Sequence, residues 1–202
     1  MTPTPASGGS TEPDDPALLD TLLGTLTRPA RTFLELAELR SSKHGAAAIA
    51  LLGTFWGLLS FLLWSSGRPP HAIWLPVDPR QYYLWQGLLM LPLLTGLWWI
   101  FSEIAHRLAG PGPEAGTRNA LGFAYAVPML VHVAAEMIVY LVVGLDRLPL
   151  IAAISLPLAS LWVWVLAALA LRVLHRASWP RAFAASFVGL FVQAAAGALV
   201  LR

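Results

Sequence analysis

Residues 121–143 read LGFAYAVPMLVHVAAEMIVYLVV, an apolar run broken by one histidine, His132, and one acid, Glu136. At 1.5 Å per helical residue it spans about 34 Å, enough to cross a hydrocarbon core of about 30 Å. The stretch decides the fold class because four uncharged runs of similar length flank it, at 45–64, 82–101, 149–171 and 182–201. These predict an all-α integral membrane protein, a five-span helical bundle over residues 41–202. The connections are too short for a soluble domain.

Composition agrees: 57% of the 202 residues are apolar and 12% charged, where a soluble domain has about 25% charged. A net charge of +2 provides no basic field for nucleic acid. The absence of cysteine excludes disulfides, thiolate catalysis and cysteine-ligated metals.

Upstream of the spans, residues 1–16 hold four prolines, three acids and almost nothing apolar, a composition that predicts a disordered tail on the cytoplasmic side. Residues 17–40 form an amphipathic segment interrupted by Pro29. Leu18, Leu22 and Leu26 recur at helical spacing before the proline. After it, Phe33, Leu36 and Ala37 are expected to turn inward and Arg31, Glu35, Glu38 and Arg40 to water. Too short and too charged to span, the segment is expected to lie at the membrane interface or against the bundle.

Nine Lys and Arg fall on one side of the spans (Arg28, Arg31, Arg40, Lys43, Arg107, Arg118, Arg172, Arg176, Arg181) and four on the other (Arg68, Arg80, Arg147, Arg202). The positive-inside rule then predicts a cytoplasmic N-terminus, an external C-terminus and, for a bacterial chain, residence in the inner membrane. Trp64, Trp74, Tyr82, Tyr83 and Trp85 gather at the outer interface and Trp179 at the inner one. Pro92, Pro128 and Pro157 fall mid-span and are expected to kink their helices.

His132 and Glu136 are four residues apart and so share one helical face. A charge at mid-membrane costs about 3 kcal/mol, so the pair needs partners: either a polar staple between helices or a path for protons. Measured from the inner span ends, His132 and Gln193 both lie about 16 Å deep, and Glu136 and Gln86 both about 22 Å. Depth matching therefore predicts Gln86 and Gln193 as partners, with spans two and five flanking that face. Glu103 and His106 resemble one arm of a carboxylate metal site, but they lie at the inner surface, too far from His132 and Glu136 to share an ion. No metal, cofactor or catalytic residue is expected. Gly53 and Gly57, and Ala194 and Ala198, are spaced for close helix approach, within the bundle or in a homo-oligomer.

The segment Thr27-Arg28-Pro29-Ala30-Arg31-Thr32-Phe33, the inner turn holding Gly110 and Gly112, and Ala124-Tyr125-Ala126-Val127-Pro128 resemble the bacterial branch of the Yip-one domain family. Ser178-Trp179-Pro180-Arg181-Ala182 is similar to that family's last inner turn. Here the family's compact glycine turn is stretched by two prolines and Glu114. The resemblance covers about residues 22–201 and implies five spans and Pro29, Phe33, Gly110, Gly112, Tyr125 and Pro128 as motif positions. The eukaryotic relatives bind prenylated Rab-type GTPases and help shape or traffic membranes. It thus implies a non-enzymatic scaffold or adaptor whose partners are the lipid bilayer and a protein at the cytoplasmic face. A small proton-coupled transporter or channel using His132 and Glu136 is the alternative.

Overall fold

The computed structural model describes residues 17–67 and 77–200, and within these the side chains of all but 145 and 198–200. The tail 1–16, Arg68 and Trp74 of the first outer connection, and Arg202 lie outside the described residues. Seven α-helices and one 3-10 turn, with no strand, make up the described residues. They are α1 (Leu18–Thr27), α2 (Pro29–Ala37), α3 (Lys43–Ser65), α4 (Tyr82–Ala109), α5 (Glu114–Val143), α6 (Leu148–His175) and α7 (Trp179–Val200). Four of them, α3 to α6, are long and apolar enough to cross a membrane.

Pro29 separates α1 from α2 and becomes the first residue of the second helix, where a missing N–H costs nothing. Gly110 ends α4 at φ +102° and Gly144 follows α5 at φ +91°, conformations that an L side chain resists. Pro92, Pro128 and Pro157 each sit inside one continuous helix. Two helices outrun the apolar stretches that announce them. α4 continues past Phe101 to Ala109, and α5 begins at Glu114, almost two turns before Leu121. These polar overhangs carry Glu103, His106, Arg107, Glu114, Arg118 and Asn119.

α5 is the central element and packs on α3, α4 and α6, while α7 packs on α4 and α6. Its inner half, from Leu121 to Ala126, is fully buried apart from Tyr125, which keeps 9% exposure. α3 meets α5 backbone to backbone. A methyl group built on Gly122 would stand 2.7 Å from the Gly45 Cα. The Gly53 and Gly57 spacing serves the same end against α4: their added Cβ atoms would meet the Leu91 Cα at 3.0 Å and the Gly87 carbonyl oxygen at 3.1 Å. Small residues let membrane helices gain dispersion contacts that larger ones would forbid.

The N-terminal helices dock on the end of the bundle where α3 and α5 begin, α2 on α5 and α6 and α1 on α2 and α5. Phe33 and Leu36 are buried as their spacing predicts, together with Thr32, whereas Ala37 is only half-buried. In α1 the buried face is not the leucine row but Thr21, Gly24 and Thr25. Leu18 and Leu22 are only half-buried against the core, and Leu26 is exposed with Leu19 and Leu23. Close approach explains the inversion: a Cβ on Gly24 would collide with the Thr32 hydroxyl, so only a small-residue face fits against α2. The hydroxyls of Thr21 and Thr25 are satisfied within α1, on the carbonyls of Ala17 and Thr21.

Candidate functional site: the polar residues of the bundle

His132 and Glu136 sit one turn apart on α5, with the histidine 3% exposed. Their nearest atoms, Nε2 and Oε1, are 3.6 Å apart, beyond a direct hydrogen bond. The histidine is held from α6 and α3. The Ser155 hydroxyl lies 2.8 Å from the Ile151 carbonyl and 2.7 Å from His132 Nδ1, so it ties the ring to α6. Nε2 is left facing Glu136. The Trp56 ring closes the other side edge-on, with centroids 5.9 Å apart.

The glutamines matched by depth lie elsewhere. Gln86 pairs with Ser60 of α3 at 3.2 Å, and Gln193 lines a cavity with Tyr125 of α5 instead of meeting His132. Helix rise fixes the height of a side chain but not the direction in which it points. The His132 ring is therefore held by α6 and α3, while Glu136 lies within electrostatic reach of Tyr83 on α4, so span two flanks the pair through a residue other than Gln86. Serine at 155 carried no depth signal stronger than that of any other intramembrane hydroxyl.

We expect Ser155→Ala to lower stability by about 1 kcal/mol, the usual scale of a buried interhelical hydrogen bond in membranes. A double-mutant cycle with His132→Leu, read from thermal unfolding in detergent, should return most of that value as coupling.

A second polar set occupies the polar overhangs of α4 and α5. The Arg118 guanidinium reaches Glu103 at 3.1 Å and Glu114 at 2.6 Å, and stacks over the Trp99 ring at 4.0 Å. Glu103 also holds Arg107 at 2.7 Å, so the carboxylate of the Glu103 and His106 pair is committed to guanidinium groups. Among the described residues no cluster suits a metal ion. The His175 ring lies across the Gly110 to Gly112 turn: Nδ1 donates to the Gly110 carbonyl at 2.7 Å, and Nε2 meets the Thr117 hydroxyl at 2.9 Å. Gly112 is required there, because an added Cβ would stand 2.5 Å from the ring.

Asn119 is the residue that spacing alone does not single out. Its Oδ1 accepts the Gly45 N–H at 2.9 Å and its Nδ2 donates to the Ser41 carbonyl at 2.8 Å. Gly45 is the third residue of α3, whose own N-cap Ser42 makes no side-chain cap bond, so Asn119 caps that helix from α5. One signal was present: Asn119 is the sole asparagine of the chain, at the inner end of span three.

The six family-like positions scatter over the fold. Pro29 starts α2, Phe33 is buried, Gly110 and Gly112 form the turn under His175, and Tyr125 and Pro128 lie in α5. No family model matches the chain, and neither a curated protein nor a solved structure does.

Proposed function

We propose that this chain is a non-enzymatic membrane scaffold or adaptor of the kind the Yip-one domain family describes, with five spans, a cytoplasmic N-terminus and an external C-terminus. One observation carries the reading. α2 is held to the bundle by Phe33 and Leu36 and α1 packs on it with Gly24 against Thr32, which leaves Leu19, Leu23 and Leu26 exposed in an apolar stripe along α1 and Leu34 exposed on α2. Arg28 and Arg31 are exposed in the same segment. An apolar stripe bordered by cations suits the boundary of an anionic bilayer and would hold a protein partner at that surface.

The fifth span in this reading is α7, whose 22 residues reach about 33 Å. The contacts at one end of the bundle accord with the predicted orientation. Asn119 with Ser41, Arg181 with the Leu108 carbonyl and His175 with Gly110 gather the basic ends of α3 to α7 together. Proton transport would require a wet route to Glu136. The cavity between α4, α5, α6 and α7 is overwhelmingly apolar, and neither Glu136 nor His132 lines it.

The test pairs Leu19→Asp with Leu23→Asp in one variant. Both side chains are exposed, so the bundle should unfold at an unchanged temperature, while trypsin cleavage after Arg31 in vesicles accelerates several-fold. Proteins that copurify with the native chain in mild detergent should be lost from the variant. A cytoplasm-dependent fluorescent reporter fused after residue 202 should stay dark. Unchanged cleavage together with an unchanged set of copurifying proteins would refute the adaptor reading, and a bright reporter would refute the topology.

A further inference from the structure

α7 packs on α4 and α6 but not directly on α5, and the gap this leaves is a cavity of about 590 Å³. Its volume falls within the roughly 300–1,000 Å³ of small-molecule sites. Met129, Val163, Trp164, Leu190 and their neighbours make the wall apolar, and no charged residue lines it. The rim opens beside Leu161, Phe187 and Phe191, each more than half exposed and turned outward where lipid would lie.

Three polar side chains reach the wall: Ser160, Tyr125 and Gln193. Ser160 donates to the Leu156 carbonyl at 2.8 Å and is spent. Gln193 is 4% exposed, and its Oε1 has no hydrogen-bond partner. A buried amide oxygen without a donor costs about 1–3 kcal/mol, more than a packed bundle gains from placing it there. Rotating the amide by 180° would not remove the defect; it would exchange an orphan acceptor for an orphan donor.

We infer that this cavity is a binding site for a neutral lipid alcohol, whose hydrocarbon body fills the apolar gap and whose hydroxyl pairs with Gln193. A hydroxyl both donates and accepts, so it satisfies whichever end of the amide faces the cavity. The ligand is uncharged because nothing in the wall would compensate a charge, and because Gln193 lies about 16 Å from the inner end of its span. A phosphate headgroup cannot be drawn to that depth. The site is separate from the His132 and Glu136 pair, neither of which lines it, and it does not depend on the adaptor reading.

The full-length protein is reconstituted in phosphatidylcholine vesicles with hexadecanol carrying a photoreactive diazirine and an alkyne in its chain. Irradiation followed by peptide mapping should place the label on α7 around Phe187 and Phe191 and on α5 at Met129. Unlabelled hexadecanol should compete about tenfold better than hexadecane, the difference a single buried hydrogen bond makes, while its methyl ether, which accepts but cannot donate, should rank with the alkane where Oε1 faces the cavity and with the alcohol where the amide N–H does. Gln193→Leu should erase that preference while labelling persists, and Ala194→Trp should block labelling altogether. The comparison of competitors on the unaltered chain needs no variant to fold. Equal competition by alcohol, ether and alkane would show acyl-chain filling alone and overturn the proposal, as would label spread evenly over the outward faces of all the helices.

Discussion

Gly122→Leu is expected to abolish the folded bundle. The added Cβ would fall 2.7 Å from the Gly45 Cα and 2.9 Å from its carbonyl oxygen, and the next nearest atom is the Gly45 carbonyl carbon at 3.0 Å. All three are backbone, so no rotamer can yield. Relief requires α3 and α5 to separate, which would strip dispersion contacts from Ala48, Ile49 and Leu52 and from the buried run around Ala120 to Phe123. Overpacking usually costs 1–3 kcal/mol, and a backbone collision at the centre of the bundle should exceed about 3 kcal/mol. Even Gly122→Ala meets the same atoms. Gly96 in α4 supplies the contrast, since nothing lies within 4 Å of its added Cβ. Gly96→Ala should stabilise by up to about 1 kcal/mol through helix propensity. Thermal unfolding followed by circular dichroism in one detergent ranks the three. A Gly122→Leu variant with the native midpoint would show that α3 and α5 do not touch at this point.

Asn119→Leu is the second large loss. The substitution keeps volume roughly constant and removes both hydrogen bonds, leaving the Gly45 N–H and the Ser41 carbonyl unanswered at a buried helix start. At about 1–3 kcal/mol for each orphan, the total should reach about 2–5 kcal/mol. Asn119→Asp keeps the acceptor for Gly45 but loses the donor to Ser41 and adds a buried charge, so it should not rescue. Hydrogen exchange gives an independent reading: the Gly45 amide should lose protection in Asn119→Leu while amides in the middle of α3 keep theirs. Equal protection at Gly45 in both proteins would remove Asn119 from the cap.

The long apolar helices were legible because absence of charge over a membrane thickness is a signal that needs no partner. Phe33 and Leu36 were legible for a similar reason, since their spacing marks one face. What escaped depends on neighbours. The first turns of α5, Glu114 to Ala120, carry charge and glycine and look like a loop, yet Arg118 and Asn119 there are held by Glu103, Trp99 and Ser41 from elsewhere in the chain. The leucine row of α1 suggested its own buried face, and the small side of Gly24 against Thr32 overrode it. His132 and Glu136 were visible as a pair, but Ser155 as the partner was not, because azimuth is decided by how α6 packs and not by residue count. The orphan oxygen of Gln193 has no counterpart in one dimension, for a glutamine reveals that it lacks a partner only once its surroundings are assembled.

The cap that Asn119 places on α3 bears on how the protein is made. The Gly45 N–H at the start of α3 is synthesised 74 residues before the side chain that caps it. At synthesis rates of about 5–20 residues per second, the N-terminal end of α3 would wait roughly 4–15 s for its acceptor. During that interval the Gly45 N–H must be served by water or by the insertion machinery, and α3 cannot yet close against Gly122. A ribosome-stalled chain ending before residue 119 should therefore hold α3 with its inner end still hydrated and open to proteases near Ser41, and a chain ending beyond α5 should not. Assembly of the inner end is thus timed by translation itself, with the third long helix acting as the signal that releases the first from its escort.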